Sequence, residues 1–269
     1  MSRFVFLADP QLGCRATFSG LSEDAVQALR NRDMYVDCFP AEDDHLWEIG
    51  QVEKAVEAIE AAKPDFVVVG GDMIDDIRRA DQYRDLMAGF ASVGVPIHWV
   101  PGNHDIAFDG EQPTHRSIEH YESLFGDSTY AIDGGEVSLV ALNTTVMHRP
   151  ERVGDVLASQ LRFVERAVAD AHTPVILVGH HPLFLRMPDE PDSYWTIPCD
   201  VRERLLALRD DHDIVAMFAG HYHRNQVART GTFEMVTSGP VGFPLGVDPP
   251  GIRIVEHDGR RLRHEYVPI

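Results

Sequence analysis

Apolar runs rich in β-branched residues recur along the chain and alternate with amphipathic stretches. The runs occupy residues 3–8, 65–70, 95–100, 137–143, 174–179 and 213–220. Their almost continuous hydrophobicity is typical of strands that are buried on both faces. Apolar residues spaced three and four apart predict helices, and helical patterns occupy residues 46–63, 81–91, 114–125, 157–171 and 200–209. The alternation favours a sheet with helices on its outer faces.

Three further segments have the pattern of antiparallel hairpins. They are residues 130–143, 227–238 and 252–267, and the last contains an Asp-Gly pair at 258–259 that suits a tight turn. Strand–helix alternation followed by hairpins predicts an α/β fold, a layered sandwich of mixed sheets. The chain has no visible linker, so we expect one domain over residues 1–269, although the length also admits two small domains.

Residues 13–44 and 186–198 fit neither the strand pattern nor the helix pattern. The first stretch has charges and scattered apolar residues without a clear period, and the second has prolines around an aromatic pair. Long loops within compact domains are often functional. Both stretches are therefore candidate lids.

The side chains suited to catalysis come directly after predicted strands. They are Asp9 with Gln11, Asp72, Asn103 with His104 and Asp105, His180 with His181, and His221 with His223. In open α/β sheets the ligand crevice lies at the carboxyl ends of the strands. We therefore expect these side chains to gather at one rim of the fold.

Each of these residues has an ordinary structural explanation when it is taken alone. An Asp after a strand is more often a turn or cap residue than a metal ligand, and a lone histidine is usually a surface or core group. Five strand ends that all offer oxygen or imidazole donors, however, match the ligand sets of Mn, Fe, Zn and related dications. His221 and His223, two residues apart in an extended segment, would point to the same side, and Gly220 leaves room beside them.

Taken in chain order, these motifs resemble those of the calcineurin-like metallophosphoesterases. They are Asp9-x-Gln11, Gly71-Asp72, Gly102-Asn103-His104-Asp105, His180-x-Pro182 and Gly220-His221-x-His223. The resemblance implies a layered αββα sandwich of two mixed β-sheets that holds two divalent metals.

The resemblance also implies a ligand set, with Asp72 bridging both metals. The first metal would take Asp9, Gln11 and His223, and the second would take Asn103, His180 and His221. The family ligand precedes x-Pro, so Pro182 selects His180 over His181. His181 would then either lie near the rim, within reach of substrate, or face away.

Gln11 stands where most of the family has histidine. The stretches "ADPQLG", "GHYHRN" and "DPPGIRIV" resemble the branch called calcineurin-like phosphoesterase domain-containing proteins, which also carries Gln here and whose animal members are described as serine/threonine protein phosphatases. A carboxamide oxygen is a weaker donor than imidazole toward zinc-like metals, so we expect the first site to be loose or selective for Mn²⁺ or Mg²⁺. The alternative is that Gln11 contacts metal-bound water.

Charge and cysteine content limit the binding partners and the cellular compartment that we expect. The formal net charge is −19 without a dense Lys/Arg cluster, so we expect no nucleic-acid partner. Bound dications could still supply positive charge for a phosphate. Three scattered cysteines indicate a reducing compartment, and there is no signal-peptide pattern or long apolar stretch, so we expect a cytoplasmic protein without a membrane partner. Oligomeric state stays open.

The predicted function is hydrolysis of phosphomonoesters on a phosphorylated small molecule or phosphoprotein, including phosphoserine or phosphothreonine. Two dications would clamp the phosphate and activate a bridging hydroxide. His104, beside Asn103, would protonate the leaving oxygen, with Asp105 orienting it. Arg224 and Asn225 either hold phosphate oxygens or belong to an exposed loop.

Three other interpretations remain open at this point. Within the same chemistry, the chain could be a cyclic-nucleotide phosphodiesterase or a nucleotide phosphatase. It could instead be a non-catalytic metal-binding scaffold, but a scaffold has no need of His104, and that residue favours an enzyme. A purely structural α/β domain would bind no metal.

Overall fold

Two mixed β-sheets stack face to face in the computed structural model, which describes residues 1–107 and 111–269. The strands are β1 (Ser2–Leu7), β2 (Phe66–Gly70), β3 (Ile97–Val100), β4 (Tyr130–Asp133), β5 (Ser138–Ala141), β6 (Val175–Val178), β7 (Ile214–Ala219), β8 (Gln226–Thr230), β9 (Phe233–Thr237), β10 (Gly251–His257) and β11 (Leu262–Pro268). The first sheet has the order β11-β10-β1-β2-β3, and the second has the order β4-β5-β6-β7-β9-β8.

Each sheet has a parallel centre and antiparallel additions. In the first sheet β1, β2 and β3 are parallel, while β10 and β11 add an antiparallel hairpin beside β1. In the second sheet β5, β6, β7 and β9 are parallel, and β4 and β8 are antiparallel edges. The three hairpins predicted from the sequence are confirmed.

Helices lie between the strands along the described chain. They are α1 (Cys14–Thr17), α2 (Glu23–Arg30), α3 (Leu46–Ala62), α4 (Ala80–Phe90), α5 (Asn103–Ile106), α6 (His115–Phe125), α7 (Thr144–His148), α8 (Gly154–Ala169) and α9 (Cys199–Ala207). Apolar residues of α3 and α4 pack on the first sheet, and those of α8 and α9 pack on the second. The predicted layered α/β sandwich is confirmed.

Strand β1 shows why the apolar runs are continuous. Phe4 and Phe6 belong to the core between the two sheets, and the intervening Val5 and Leu7 belong to the core under the helices. The ring of Phe4 meets that of Phe218 on the opposite sheet at 6.2 Å. Successive side chains point to opposite faces of a strand, so burial of both faces requires an apolar residue at every position.

The two stretches that lack a pattern pack against one another. Val26 and Met34, from the first stretch, share a small apolar cluster with Trp195 from the second and with Tyr222 and Leu245. Residues 13–44 contain helices α1 and α2, which the sequence did not predict. Within the described residues, no helix is both long and apolar enough to cross a membrane.

Candidate active site

The polar residues that follow the parallel strands meet where the two sheets face each other. Asp9 follows β1, Asp72 follows β2, His180 follows β6, and His221 follows β7. Donor atoms of Asp72, His180 and His221 all lie within 4.8 Å of one another, and all three residues are buried. The gathering at one rim follows from the shared direction of the parallel strands.

Asp9 and Asp72 each face an imidazole. Nε2 of His180 lies 2.9 Å from Oδ2 of Asp72 and 3.9 Å from Oδ1 of Asp9. Nε2 of His223 lies 3.2 Å from Oδ1 of Asp9. Two carboxylates and two imidazoles therefore point into one buried volume that is shared between the sheets.

The backbone at the site adopts a conformation that side chains rarely tolerate. Asp9, Asp72, His221 and His223 have φ angles of 53°, 50°, 65° and 51°, and Gln11 has a φ of 34°. These angles fall in or beside the left-handed region, which costs energy for any residue other than glycine. Such strain concentrates at functional sites, where it turns a side chain toward its neighbours.

Two glycines make room for the carboxylates. A Cβ atom at Gly220 would lie 2.5 Å from Oδ2 of Asp9, and a Cβ atom at Gly102 would collide with Oδ1 of Asp72. Both contacts would be closer than non-bonded atoms allow. The motif glycines therefore bring the backbone directly against the acidic side chains.

Backbone carbonyls fix the direction of the imidazole rings. Nδ1 of His180 lies 2.9 Å from the carbonyl oxygen of Gly70, and Nδ1 of His223 lies 2.8 Å from that of Phe243. A carbonyl oxygen only accepts a hydrogen bond, so each Nδ1 is the donor. The Nε2 atoms of both rings then face the carboxylates, which is the arrangement that metal-binding histidines use.

Burial and neighbouring charge set the protonation of the cluster. Burial lowers the pKa of His180, but Asp72 outweighs it and raises that pKa to about 9. Burial raises the pKa of Asp72, but His180 and His104 hold it well below its usual range. Burial, together with the charge of His180, holds the pKa of His221 well below its ordinary value. In the absence of metals these shifts favour a charged pair between Asp72 and His180 and a neutral His221.

Two buried side-chain oxygens in this cluster have no hydrogen-bond partner within the described part of the chain. They are Oε1 of Gln11 and Oδ1 of Asn103. An unpaired buried polar atom costs about 1–3 kcal/mol. Amide oxygens are also suitable ligands for divalent metals. The unpaired atoms therefore fit a metal centre.

Asp75 is a site residue that sequence reasoning did not single out. Its Oδ1 accepts a hydrogen bond from Nε2 of Gln11 at 3.0 Å, and its backbone carbonyl lies 2.7 Å from Nδ1 of His104. In the sequence Asp75 is one of several acidic residues in "DMIDD", which also fits the start of a solvated helix. No local signal separates it from Asp76.

Asp105 occupies a different place from the one expected. Its carboxylate accepts hydrogen bonds from the backbone N–H groups of Gly102 and Met73 at 2.8 and 2.9 Å, so it holds the loops together. Burial and the charge of Asp72 raise the pKa of Asp105 to about 7. The ring of His104 is held by Asp75 instead of by Asp105.

The residues after the last motif also lie apart from the cluster. The guanidinium of Arg224 donates to Oδ2 of Asp33 at 3.1 Å and to the hydroxyl of Tyr222 at 2.9 Å. The side-chain oxygen of Asn225 accepts from Arg253 at 2.6 Å. These contacts bind both side chains to other parts of the protein, so the structure does not bring them to the cluster around Asp72.

His181 lies in a stack of imidazoles behind the cluster. Its ring centroid is 4.2 Å from that of His221 and 4.6 Å from that of His148. Burial, followed by the charges of His221 and His148, holds the pKa of His181 well below its ordinary value. The side chain packs against a cluster residue and is almost fully buried.

A cavity of about 330 Å³ opens beside the cluster. Its polar wall includes Gln11, Asp72, Asn103, His104, His221 and His223. Its apolar wall includes Phe18, Leu29, Met34, Trp195 and Leu245. Arg32 lies at the cavity with its guanidinium 5.7 Å from the ring centre of Tyr194. The two stretches expected to be lids therefore supply these apolar residues except Leu245.

Comparisons with known proteins find matches to this chain in sequence and in fold. The family model described as calcineurin-like phosphoesterase matches residues 2–225. Proteins called serine/threonine-protein phosphatase CPPED1 are 30% identical over 275 residues in Danio rerio, covering 98% of this chain and 83% of the relative, and 31% identical over 241 residues in Mus musculus, covering 85% and 76%. The crystal structure of a dimetal phosphatase from Danio rerio matches with a TM-score of 0.69 at 16% identity, covering 98% of this chain and 95% of the other.

Proposed function

The chain belongs to the calcineurin-like phosphoesterase family, whose members are metal-dependent hydrolases of phosphoesters. We propose that the residues gathered around Asp72 form its active site. One observation carries the proposal. Asp72, His180 and His221 come from three distant segments, yet their donor atoms lie within 4.8 Å of one another in a buried setting. Without a cation, two buried imidazoles and a carboxylate are a costly combination.

Membership of the family implies two divalent metal ions, and the donor set fits them. We assign Asp72 to both ions, Asp9, Gln11 and His223 to one, and Asn103, His180 and His221 to the other. The unpaired oxygens of Gln11 and Asn103 support this assignment, as does Nε2 of His180, which faces the carboxylate of Asp72 at 2.9 Å. Because Gln11 offers an amide oxygen, we propose Mn²⁺ or Mg²⁺ at the first position. When bound, such ions supply positive charge to a phosphate and bring the pKa of water toward neutrality.

We propose that His104 protonates the leaving oxygen of the phosphoester. His104 lines the cavity next to Asn103, and its Nδ1 lies 2.7 Å from the carbonyl oxygen of Asp75. That carbonyl accepts a hydrogen bond from Nδ1, so Nε2 would be the atom that exchanges a proton with the leaving oxygen. A positioned general acid of this kind contributes about 10²–10⁴-fold to the rate.

The proposed substrates are phosphomonoesters, with phosphoserine or phosphothreonine in a protein as the narrower class. Similarity over most of the chain to proteins named serine/threonine-protein phosphatase supports the narrower class. A cavity of about 330 Å³ beside the cluster accommodates one phosphorylated side chain. We also propose that the whole chain is one domain, since β10 and β11, which follow the family match, complete the first sheet against β1.

The test is a phosphate-release panel with Mn²⁺. The substrates are phosphoserine and phosphothreonine peptides, an aryl phosphate, nucleoside monophosphates, a cyclic nucleotide and a bis-aryl phosphate. Asp72→Asn is the matched control, because it keeps the shape of the side chain and loses its charge. We expect hydrolysis of the monoesters by the wild-type chain and none by the variant.

Other outcomes would redirect the proposal. Hydrolysis of only the cyclic nucleotide or the diester would replace the phosphatase assignment with a phosphodiesterase. Binding of two metal ions without turnover of any compound would support a metal-binding scaffold. Failure to bind metal would contradict the proposed active site itself.

A further inference from the structure

Asp75 connects the residue that departs from the family pattern with its surroundings. Its Oδ1 accepts from Nε2 of Gln11 at 3.0 Å, and its Oδ2 accepts from the hydroxyl of Thr17 at 2.7 Å. Asp75 is only 6% exposed, so these contacts are shielded from water. A buried carboxylate with two side-chain donors is a strong and directional acceptor.

The backbone holds Gln11 and Asp75 in register. The N–H of Gln11 donates to the carbonyl of Asp72 at 2.9 Å, and the N–H of Asp75 donates to the carbonyl of Leu12 at 3.1 Å. A β-bridge joins Leu12 to Ile74 between these two bonds. The loop after β1 is therefore paired with the loop after β2, and the pairing places the two side chains against each other.

Gln11 needs such a neighbour in a way that histidine does not. An amide side chain can present either its oxygen or its NH₂ group, and only the oxygen can bind a cation. Because a carboxylate only accepts hydrogen bonds, Asp75 selects the rotamer in which Nε2 points toward it. Oε1 is then the remaining atom, and it is buried without a hydrogen-bond partner among the described residues.

We propose that Asp75 is a positioning residue which fixes the carboxamide of Gln11 so that its oxygen is presented to a metal ion. The pair would replace the imidazole that most of the family has at this position. This inference rests on the proposed function, since it requires divalent metals at the cluster. The rival explanation is that Asp75 only anchors Thr17 with helix α1 and the ring of His104, in which case its removal would act independently of Gln11.

Titration of the metal-stripped full chain with Mn²⁺, followed by calorimetry, separates these explanations. We expect Asp75→Ala to weaken the first-site affinity about 10–100-fold, the range known for partners of metal ligands. In a Gln11→Ala background the same change should have no further effect, because the group that Asp75 orients is gone. Asp75→Asn should stay close to the wild-type affinity, since its side-chain oxygen can still accept from Nε2 of Gln11.

Asp76→Asn is the matched control, because Asp76 is the neighbouring acid and its carboxylate pairs with Arg78 instead of with a cluster residue. The distance between Oδ1 of Asp76 and Nε of Arg78 is 2.8 Å. This variant should leave Mn²⁺ affinity unchanged. Equal effects of Asp75→Ala with and without Gln11 would overturn the inference and support a structural anchor. If Asp75→Ala does not fold, Asp75→Asn decides, and a tenfold or larger loss in that folded variant would overturn the inference. Absence of Mn²⁺ binding by the wild-type chain would instead reject the proposed active site.

Discussion

Substitution of Thr144 tests how the backbone of His180 and His181 is held in place. The hydroxyl of Thr144 accepts hydrogen bonds from the backbone N–H groups of His180 and His181 at 3.0 and 2.9 Å, and all three residues are buried. Thr144→Val keeps the shape of the side chain but leaves both N–H groups without an acceptor. An unsatisfied buried donor costs about 1–3 kcal/mol. Since neighbouring losses do not add fully, we expect a total destabilisation of about 2–4 kcal/mol.

The adjacent residue provides a control of the same chemistry. Thr145 is also buried, but its hydroxyl oxygen has no hydrogen-bond partner within the described ranges. Thr145→Val removes a polar atom that gains nothing, so its effect on stability should be near zero or favourable. Urea unfolding in the presence of chelator, followed by circular dichroism, measures both variants without a contribution from metals. Equal stability of the two variants would refute the account of Thr144.

Three further predictions concern the catalytic role of His104, the reactivity of two cysteines and the titration of His98. His104→Ala should retain its metals and lose about 10²–10⁴-fold in kcat on an aryl phosphate, and full activity would remove the proton-donor role. Iodoacetamide should modify exposed Cys38 in the native protein but not buried Cys14, because burial, followed by the charge of Asp75, raises the pKa of the Cys14 thiol well above its ordinary value. Equal labelling of the two cysteines by mass spectrometry would contradict this. Burial lowers the pKa of His98 below its ordinary value. As the pH falls, the unfolded chain therefore takes up this proton first, and the free energy of unfolding should decrease at pH values below about 6.5, the ordinary pKa of histidine. His98→Phe should flatten this pH dependence, and an unchanged slope would oppose the reasoning.

Strand positions could be predicted from the sequence because each central strand is covered on both faces. The run at 213–220 became β7 (Ile214–Ala219), and the run at 65–70 became β2 (Phe66–Gly70). Helix α3 (Leu46–Ala62) follows the predicted 46–63. In such segments the local pattern and the tertiary environment agree, and the pattern is sufficient.

Helix α2 was missed because it is short: over its eight residues only Val26 and Leu29 provide large apolar side chains at helical spacing, too few to stand out in a charged stretch. Of its residues only Val26 is buried, and its start is marked by Ser22, whose hydroxyl accepts from the N–H of Ala25 at 3.3 Å. Its position depends on contacts with Trp195 and other residues far away in the chain. Tertiary packing of this kind is not visible in the sequence.

In the candidate site, too, some features could be predicted from the sequence and others depend on tertiary contacts. The order of strands places Asp9, Asp72 and His180 at one rim, and this could be predicted from motifs after strands. The roles of Asp75 and Thr144 depend on how loops pair with each other, since each acts through a contact with a residue at least 36 positions away. Neither residue belongs to a motif, and both became visible only in the structure.

The central claim is that Asp72 lies between two divalent ions at the meeting point of the sheets. Crystals grown with Mn²⁺ and measured at the manganese absorption edge would test it directly. The account predicts two anomalous peaks within bonding distance of the Asp72 carboxylate, one of them beside His180 and His221. The absence of anomalous peaks there, or peaks only at surface carboxylates, would contradict it.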